Sequence, residues 1–201
     1  MSYPTRVIVA VALLIASGGN AFAIREFDIR TIEALGRNIY EKARQASSSQ
    51  SELERRAIRT ASDALKGINL RGYRFVVLTD PKRSGLLVYA LATSANRDEI
   101  VAGVHYRLTV SADGRRAEQV DALSRTRVVI TSHSLPSKYN LVGFVLGQIV
   151  SDKPVETFVY LTLLHKKPCM IATPDGSVWW IENGKIRKEK KKATDRTASP
   201  Q

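Results

Sequence analysis

The chain has one cysteine, Cys169, in 201 residues, so no intramolecular disulfide can form. A fold of this length must be held by its core rather than by covalent staples. There is no Asn-x-Ser/Thr sequon, no P-loop, no dinucleotide-binding glycine fingerprint and no nucleophile elbow. Histidine is scarce: His105, His133 and His165 are the full set. Only His165 and Cys169 lie four apart, and Pro168 between them predicts a strand boundary that separates their faces. A zinc site needs such side chains to converge, so no metal site is predicted. A Cys169 nucleophile with His133 or His165 as base is the one hydrolase arrangement available. Cys169-Met170-Ile171-Ala172 reads instead as a buried strand. Ser132-His133-Ser134 stands in no catalytic frame, and no cofactor or catalytic residue is predicted. Acidic residues are also few, 19 against 31 Lys and Arg, giving a net charge of +12.

That basic balance favours anionic partners such as acidic lipid, polyanionic polymer or an acidic protein. No nucleic-acid fold signature accompanies it, so nucleic acid is not predicted as a partner. The first 23 residues have the form of an export signal: Arg6, the apolar run Val7–Ala16, and a small-x-small site at Ala21-Phe22-Ala23. About ten apolar residues are too few for a spanning helix, which needs roughly 20. The expectation is an exported protein, periplasmic or extracellular, with residues 1–23 as leader. Residues 24–183 should form one domain, and residues 184–201 a mobile basic tail.

Within that domain, Ile29, Ile32, Leu35, Gly36, Ile39, Tyr40 and Ala43 recur at helical spacing behind Asp28, a capping residue. Ser51-Glu52-Leu53-Glu54 is a capping box opening a second amphipathic helix that runs to about Gly67. Strand signals follow at Tyr73–Thr79, Leu86–Thr93 and Arg127–Ser132. Leu135–Val150 is ambiguous between helix, strand and loop, and Thr157–Leu164 reads as a continuous apolar strand. Pro168–Thr173 and Ser177–Glu182 form a hairpin around Pro174-Asp175-Gly176. The predicted fold is α+β: an antiparallel meander with both N-terminal helices packed on one face.

The clearest hairpin is Glu99–Leu123. Val104, Tyr106, Leu108 and Val110 alternate with His105, Arg107 and Thr109, predicting a strand covered on one face only. A three-residue loop at Ala112-Asp113-Gly114 would pair Ser111 with Arg115, Tyr106 with Val120 and Leu108 with Glu118. Glu99-Ile100-Val101-Ala102-Gly103, followed by Val104-His105-Tyr106-Arg107-Leu108-Thr109-Val110, resembles the cystatins, inhibitors of papain-like cysteine proteases. Their first inhibitory loop reads Gln-Val-Val-Ala-Gly ahead of a strand x-Asn-Tyr-x-Leu-x-Val. The resemblance covers Glu99–Val110. It implies a cystatin-like fold, a protease as partner and Glu99–Gly103 as a wedge. Glu99 replaces the family's Gln, its Pro-Trp loop is absent, and no glycine serves as the N-terminal arm. A second reading takes Ile-Val-Ala-Gly as a buried strand start with a bulge glycine.

Trp179 and Trp180 are adjacent in a strand, so one should face the core and the other solvent, where it would serve as a binding anchor or cover an edge. Lys185, Arg187, Lys188, Lys190, Lys191 and Lys192 crowd the C-terminal end and are candidates for contact with an anionic surface. The leading expectation is a non-enzymatic exported binding protein acting through Glu99–Gly103 and the tryptophan hairpin, in its sharpest form a cysteine-protease inhibitor. The alternative is an envelope accessory protein that holds anionic polymer or lipid through its basic surface and tail.

Overall fold

Asp28 starts the first helix. Its carboxylate accepts from the Thr31 backbone N–H at 2.9 Å, and α1 runs over Ile29–Ala43. Ser51 and Glu54 form the predicted reciprocal capping box, which opens α2 at Glu52–Ala64. The computed structural model describes residues 5–10, 24–45, 50–96, 98–131 and 139–189. No helix among these residues is long and apolar enough to cross a membrane. His133 and most of the expected leader lie outside the described residues, as do Lys190, Lys191 and Lys192.

The class is α+β, with antiparallel pairing dominant. Strands β2 (Tyr73–Thr79), β3 (Leu86–Ala92), β5 (Tyr106–Val110) and β6 (Ala117–Ala122) form an antiparallel sheet in the order β2-β3-β5-β6. The strand β4 (Glu99–Val101) pairs with β7 (Val129–Thr131) in a separate two-stranded ribbon. A five-stranded sheet collects β1 (Thr5–Ala10), β8 (Tyr139–Gly147), β9 (Cys169–Ala172), β10 (Val178–Glu182) and β11 (Lys185–Lys188) in that order. Its β1/β8 and β8/β9 pairs are parallel, so the sheets are not one meander.

The two N-terminal helices do not share a face. Ala57, Ala61 and Leu65 of α2 pack with Val77, Val88, Ala90, Leu108 and Val110. Ile32, Leu35 and Ile39 of α1 pack with Val76, Leu87, Tyr89 and Leu91. Because side chains alternate along a strand, these sets lie on opposite sides of the four-stranded sheet. The strand over Tyr106–Val110 is accordingly covered on both faces, not one.

Thr157–Leu164 is helical rather than extended. It lies in α3 (Glu156–His165), whose residues Glu156–Thr162 are all buried. A helix without a solvent face shows no 3.6-residue period and cannot be told from a buried strand by pattern. It packs against α1 where Gly36 faces Val159. A Cβ at position 36 would lie 2.4 Å from Val159 Cβ, so glycine sets the helix separation.

The β5/β6 register differs by two residues from the three-residue loop expectation. Tyr106 pairs with Ala122, Arg107 with Asp121 and Leu108 with Val120. Ser111 N–H donates to Arg116 O at 2.9 Å, and Asp113 accepts from Ser111 Oγ at 2.6 Å, closing a longer loop. The register sets Leu108 opposite Val120 rather than Glu118, and a bulge between the Thr109 and Val110 pairings leaves Glu118 without a partner in the ladder. At the C-terminus, β11 pairs with β10 through Lys188, so the fold extends past residue 184.

Candidate functional site

A cleft of about 620 Å³ opens where several elements meet. The C-terminal turn of α1 contributes Tyr40, Ala43 and Arg44, and β2 contributes Arg74. Residues Ala92–Ser94 and Asn96 close one side, Glu99 and Val101 of β4 another, and α3 supplies Tyr160, Leu161, Leu164 and His165. Ala92, Val101 and Leu161 are buried, while Leu164 stands 43% exposed at the rim. The volume falls in the ordinary range for small-molecule sites, about 300–1,000 Å³.

Two guanidinium groups border this apolar floor. Arg74 donates to the Ala43 carbonyl, satisfying a terminal acceptor of α1. Arg44 lies over the Tyr40 ring at 5.1 Å and within 3.9 Å of Glu41. Among the described lining residues the one carboxylate is Glu99, which accepts from Ser94 Oγ at 2.6 Å. Burial, then the nearby Lys167 charge, lowers the His165 pKa, so that ring is neutral at physiological pH. Burial raises the Tyr160 pKa and keeps its hydroxyl protonated. Among the described lining residues, two cations and one anion stand over an apolar base.

The sequence-derived loop Glu99–Gly103 is divided. Glu99 and Val101 line the cleft, whereas Ile100, Val101 and Ala102 are buried. Ala102 N–H donates to Val128 O at 2.8 Å, and a Cβ on Gly103 would meet Thr126 O at 2.0 Å. This geometry is that of a strand start ending in a glycine of close approach, not of an outward wedge.

Trp179 is buried, with Nε1–H donating to Thr173 Oγ1 at 3.2 Å, and Trp180 is half-buried beneath Arg187 at 5.7 Å. Of the basic residues assigned to an anionic surface, Lys185 pairs with Glu33 at 3.0 Å and Lys188 lies near Asp175 at 3.7 Å. These belong to β11 rather than to a tail. The cleft and the tryptophan hairpin are separate places on the molecule, since no tryptophan lines the cleft.

The histidines divide as well. His105 is fully enclosed. Its Nδ1 accepts from Ala92 N–H, and its Nε2 lies 3.1 Å from Val101 O, an arrangement that fits the neutral Nε2–H tautomer. Burial pushes its pKa down to about 4. Cys169 is buried, and burial alone raises its thiol pKa well above the ordinary value, which leaves it protonated and unreactive. Among the described residues, no group of three His, Cys, Asp or Glu side chains is placed to hold a metal ion.

Sequence reasoning missed Tyr40, Arg44, Arg74 and His165 as a set. They come from an α1 terminus, a β2 edge and an α3 terminus, and no local pattern links them. The second feature it missed is a buried ionic cluster. Arg107, 1% exposed, donates to Asp121 Oδ2 and to Glu156 Oε1, both at 2.7 Å. The Tyr89 hydroxyl donates to the same Glu156 oxygen at 2.9 Å. Burial works against the Arg107 charge, but Glu156, Tyr89 and Asp121 outweigh it and raise its pKa.

Comparison of the chain with family models, with curated proteins and with solved structures finds no match to any of the three.

Proposed function

We propose that the protein is a non-enzymatic, exported binding protein whose cleft takes an anionic ligand with an apolar body, such as a single-chain anionic lipid. The observation that carries this reading is the pairing of Arg44 and Arg74 with the apolar base Ala92, Val101 and Leu161, under an exposed Leu164. Guanidinium groups favour carboxylate and phosphate through planar, bidentate hydrogen bonding, and the apolar floor offers burial to a hydrocarbon chain. His165, held neutral, adds a hydrogen-bonding group without a further charge. The net charge of +12 would draw such ligands toward the protein.

The protease-inhibitor reading needs the side chains of Ile100–Ala102 to enter a partner, and their burial gives it no support. Binding through the cleft uses Glu99 and Val101 differently, as wall rather than wedge.

The test is a titration with dodecyl phosphate below its micellar concentration, beside the uncharged dodecyl maltoside. Wild type should bind the phosphate and discriminate against the maltoside. Arg44→Glu combined with Arg74→Glu should weaken phosphate binding at least tenfold, and Leu164→Asp should weaken it as well. Binding that neither variant changes would overturn the proposal.

A further inference from the structure

The segment after the expected cleavage site does not behave as a chain end. Termini usually fray unless tied down, yet Ile24 and Phe27 are buried. Arg25 N–H donates to Asp121 Oδ1 at 3.3 Å, and Arg107 donates to the Arg25 carbonyl. The Arg25 side chain binds both oxygens of Asp80. Phe27 is flanked by two guanidinium groups, with Arg25 and Arg107 each 4.8 Å from its ring centroid. Ile24, Arg25 and Phe27 are therefore tied into the core, while Glu26 and Asp28 face outward.

The charges around this segment do not balance. Three carboxylates are buried here, Asp80, Asp121 and Glu156, against two guanidinium groups, Arg25 and Arg107. Gln119 Nε2 donates to Asp121 at 2.7 Å and Tyr89 to Glu156, but both are neutral donors. At the rim, Glu26 and Lys153 pair with each other at 3.1 Å and add no net charge. The backbone N–H groups of Lys82 and Arg83 also donate to Asp80, so the carboxylates are hydrogen-bonded but carry one negative charge in excess, which a further cation would offset.

We propose that removal of residues 1–23 supplies that cation, and that the α-ammonium of Ile24 is a structural member of the Arg107–Asp121–Glu156 cluster. Consecutive backbone nitrogens lie no more than about 3.7 Å apart across one residue. The Ile24 nitrogen is therefore within roughly 7 Å of Asp121 Oδ1, given that bond of 3.3 Å from Arg25 N–H. In the unprocessed chain this nitrogen is a neutral amide. Hydrolysis of the Ala23–Ile24 bond by an export-processing endopeptidase consumes one water. The hydroxyl goes to the Ala23 carbonyl carbon, which leaves as carboxylate, and the Ile24 nitrogen takes up protons to become an ammonium. Strand β1 departs with the leader, which makes β8 the outer strand of its sheet.

The experiment expresses the full chain with its leader in an exporting bacterium and recovers the processed product beside unprocessed chain. Mass measurement should place the new terminus at Ile24. The Ile24 amine, followed by NMR, should titrate at least one pH unit above the ordinary 7.7–8.0, and Asp121→Asn should return it to that range. Should Asp121→Asn fail to fold, the two wild-type forms decide the matter through their thermal midpoints. A raised amine pKa stabilises the folded state below the unfolded value and is lost as pH rises through the folded value. The processed form should thus lose stability relative to the unprocessed form between about pH 8 and pH 10. A terminus at another residue, an amine with an ordinary pKa, or a pH-independent difference between the two forms would each overturn the proposal.

Discussion

The Arg107 guanidinium and the Glu156 carboxylate form an ion pair at 2.7 Å with both side chains 1% exposed, tying the second residue of β5 to the first residue of α3. The pair joins two elements from different parts of the chain, and Asp121 of β6 completes it from the adjacent strand. Removing one partner of a buried pair strands the other's charge. Arg107→Ala should therefore cost about 3–5 kcal/mol, measured by urea unfolding. In the unprocessed chain, whose Ile24 nitrogen is a neutral amide, Arg107→Met combined with Asp121→Asn and Glu156→Gln should recover part of that loss, because all three charges of the cluster are removed together. A single variant that unfolds at the wild-type midpoint would refute the account.

His105 should set part of the acid limb of stability. Its folded pKa of about 4 lies below the ordinary 6.5, so the neutral ring is the form the fold selects. The contribution is complete above about pH 6.5 and is lost as pH falls toward 4, at up to about 1.4 kcal/mol per pH unit. In His105→Gln, unfolding free energy measured from pH 7 to pH 4 should fall less steeply than in wild type. Equal slopes would exclude His105 as the titrating group.

Gly36 offers a contest of two magnitudes. Alanine is favoured over glycine inside a helix by about 1 kcal/mol. Against that, the added methyl would meet Val159 Cβ at 2.4 Å and Glu156 O at 2.8 Å. Overpacking of this kind costs about 1–3 kcal/mol, and the backbone oxygen cannot rotate away. Gly36→Ala should destabilise the protein, and pairing it with Val159→Ala should restore part of the loss. A thermal midpoint raised by Gly36→Ala alone would show that the helices part freely.

Legibility in the sequence followed the solvent. Helices α1 and α2 each keep a wet face, so Ile32, Leu35 and Ile39 stand out against charged neighbours, and Asp28 and Ser51 mark where they begin. Helix α3 is buried on every side through Glu156–Thr162 and exposes only Leu164 near its end, so its residues carry no period to read. The Trp179/Trp180 division followed from strand alternation. The β5/β6 register depended on one loop, where Asp113 organises a longer turn and Glu118 bulges. Arg107 resembled a residue on a solvated face because its partner Glu156 lies 49 residues along the chain. The cleft was hidden for the same reason, its two arginines arriving from α1 and β2.

Helix α3 is ten residues long, a rod of about 15 Å. Glu156, at one end, is clamped by Arg107 and Tyr89, and His165, at the other, forms part of the cleft wall. With Glu156–Thr162 buried, the helix has no free side on which to tilt, and a close-packed interior yields little. One rigid element thus sets the spacing between two places, the buried ion pair at its first residue and the cleft wall at its last.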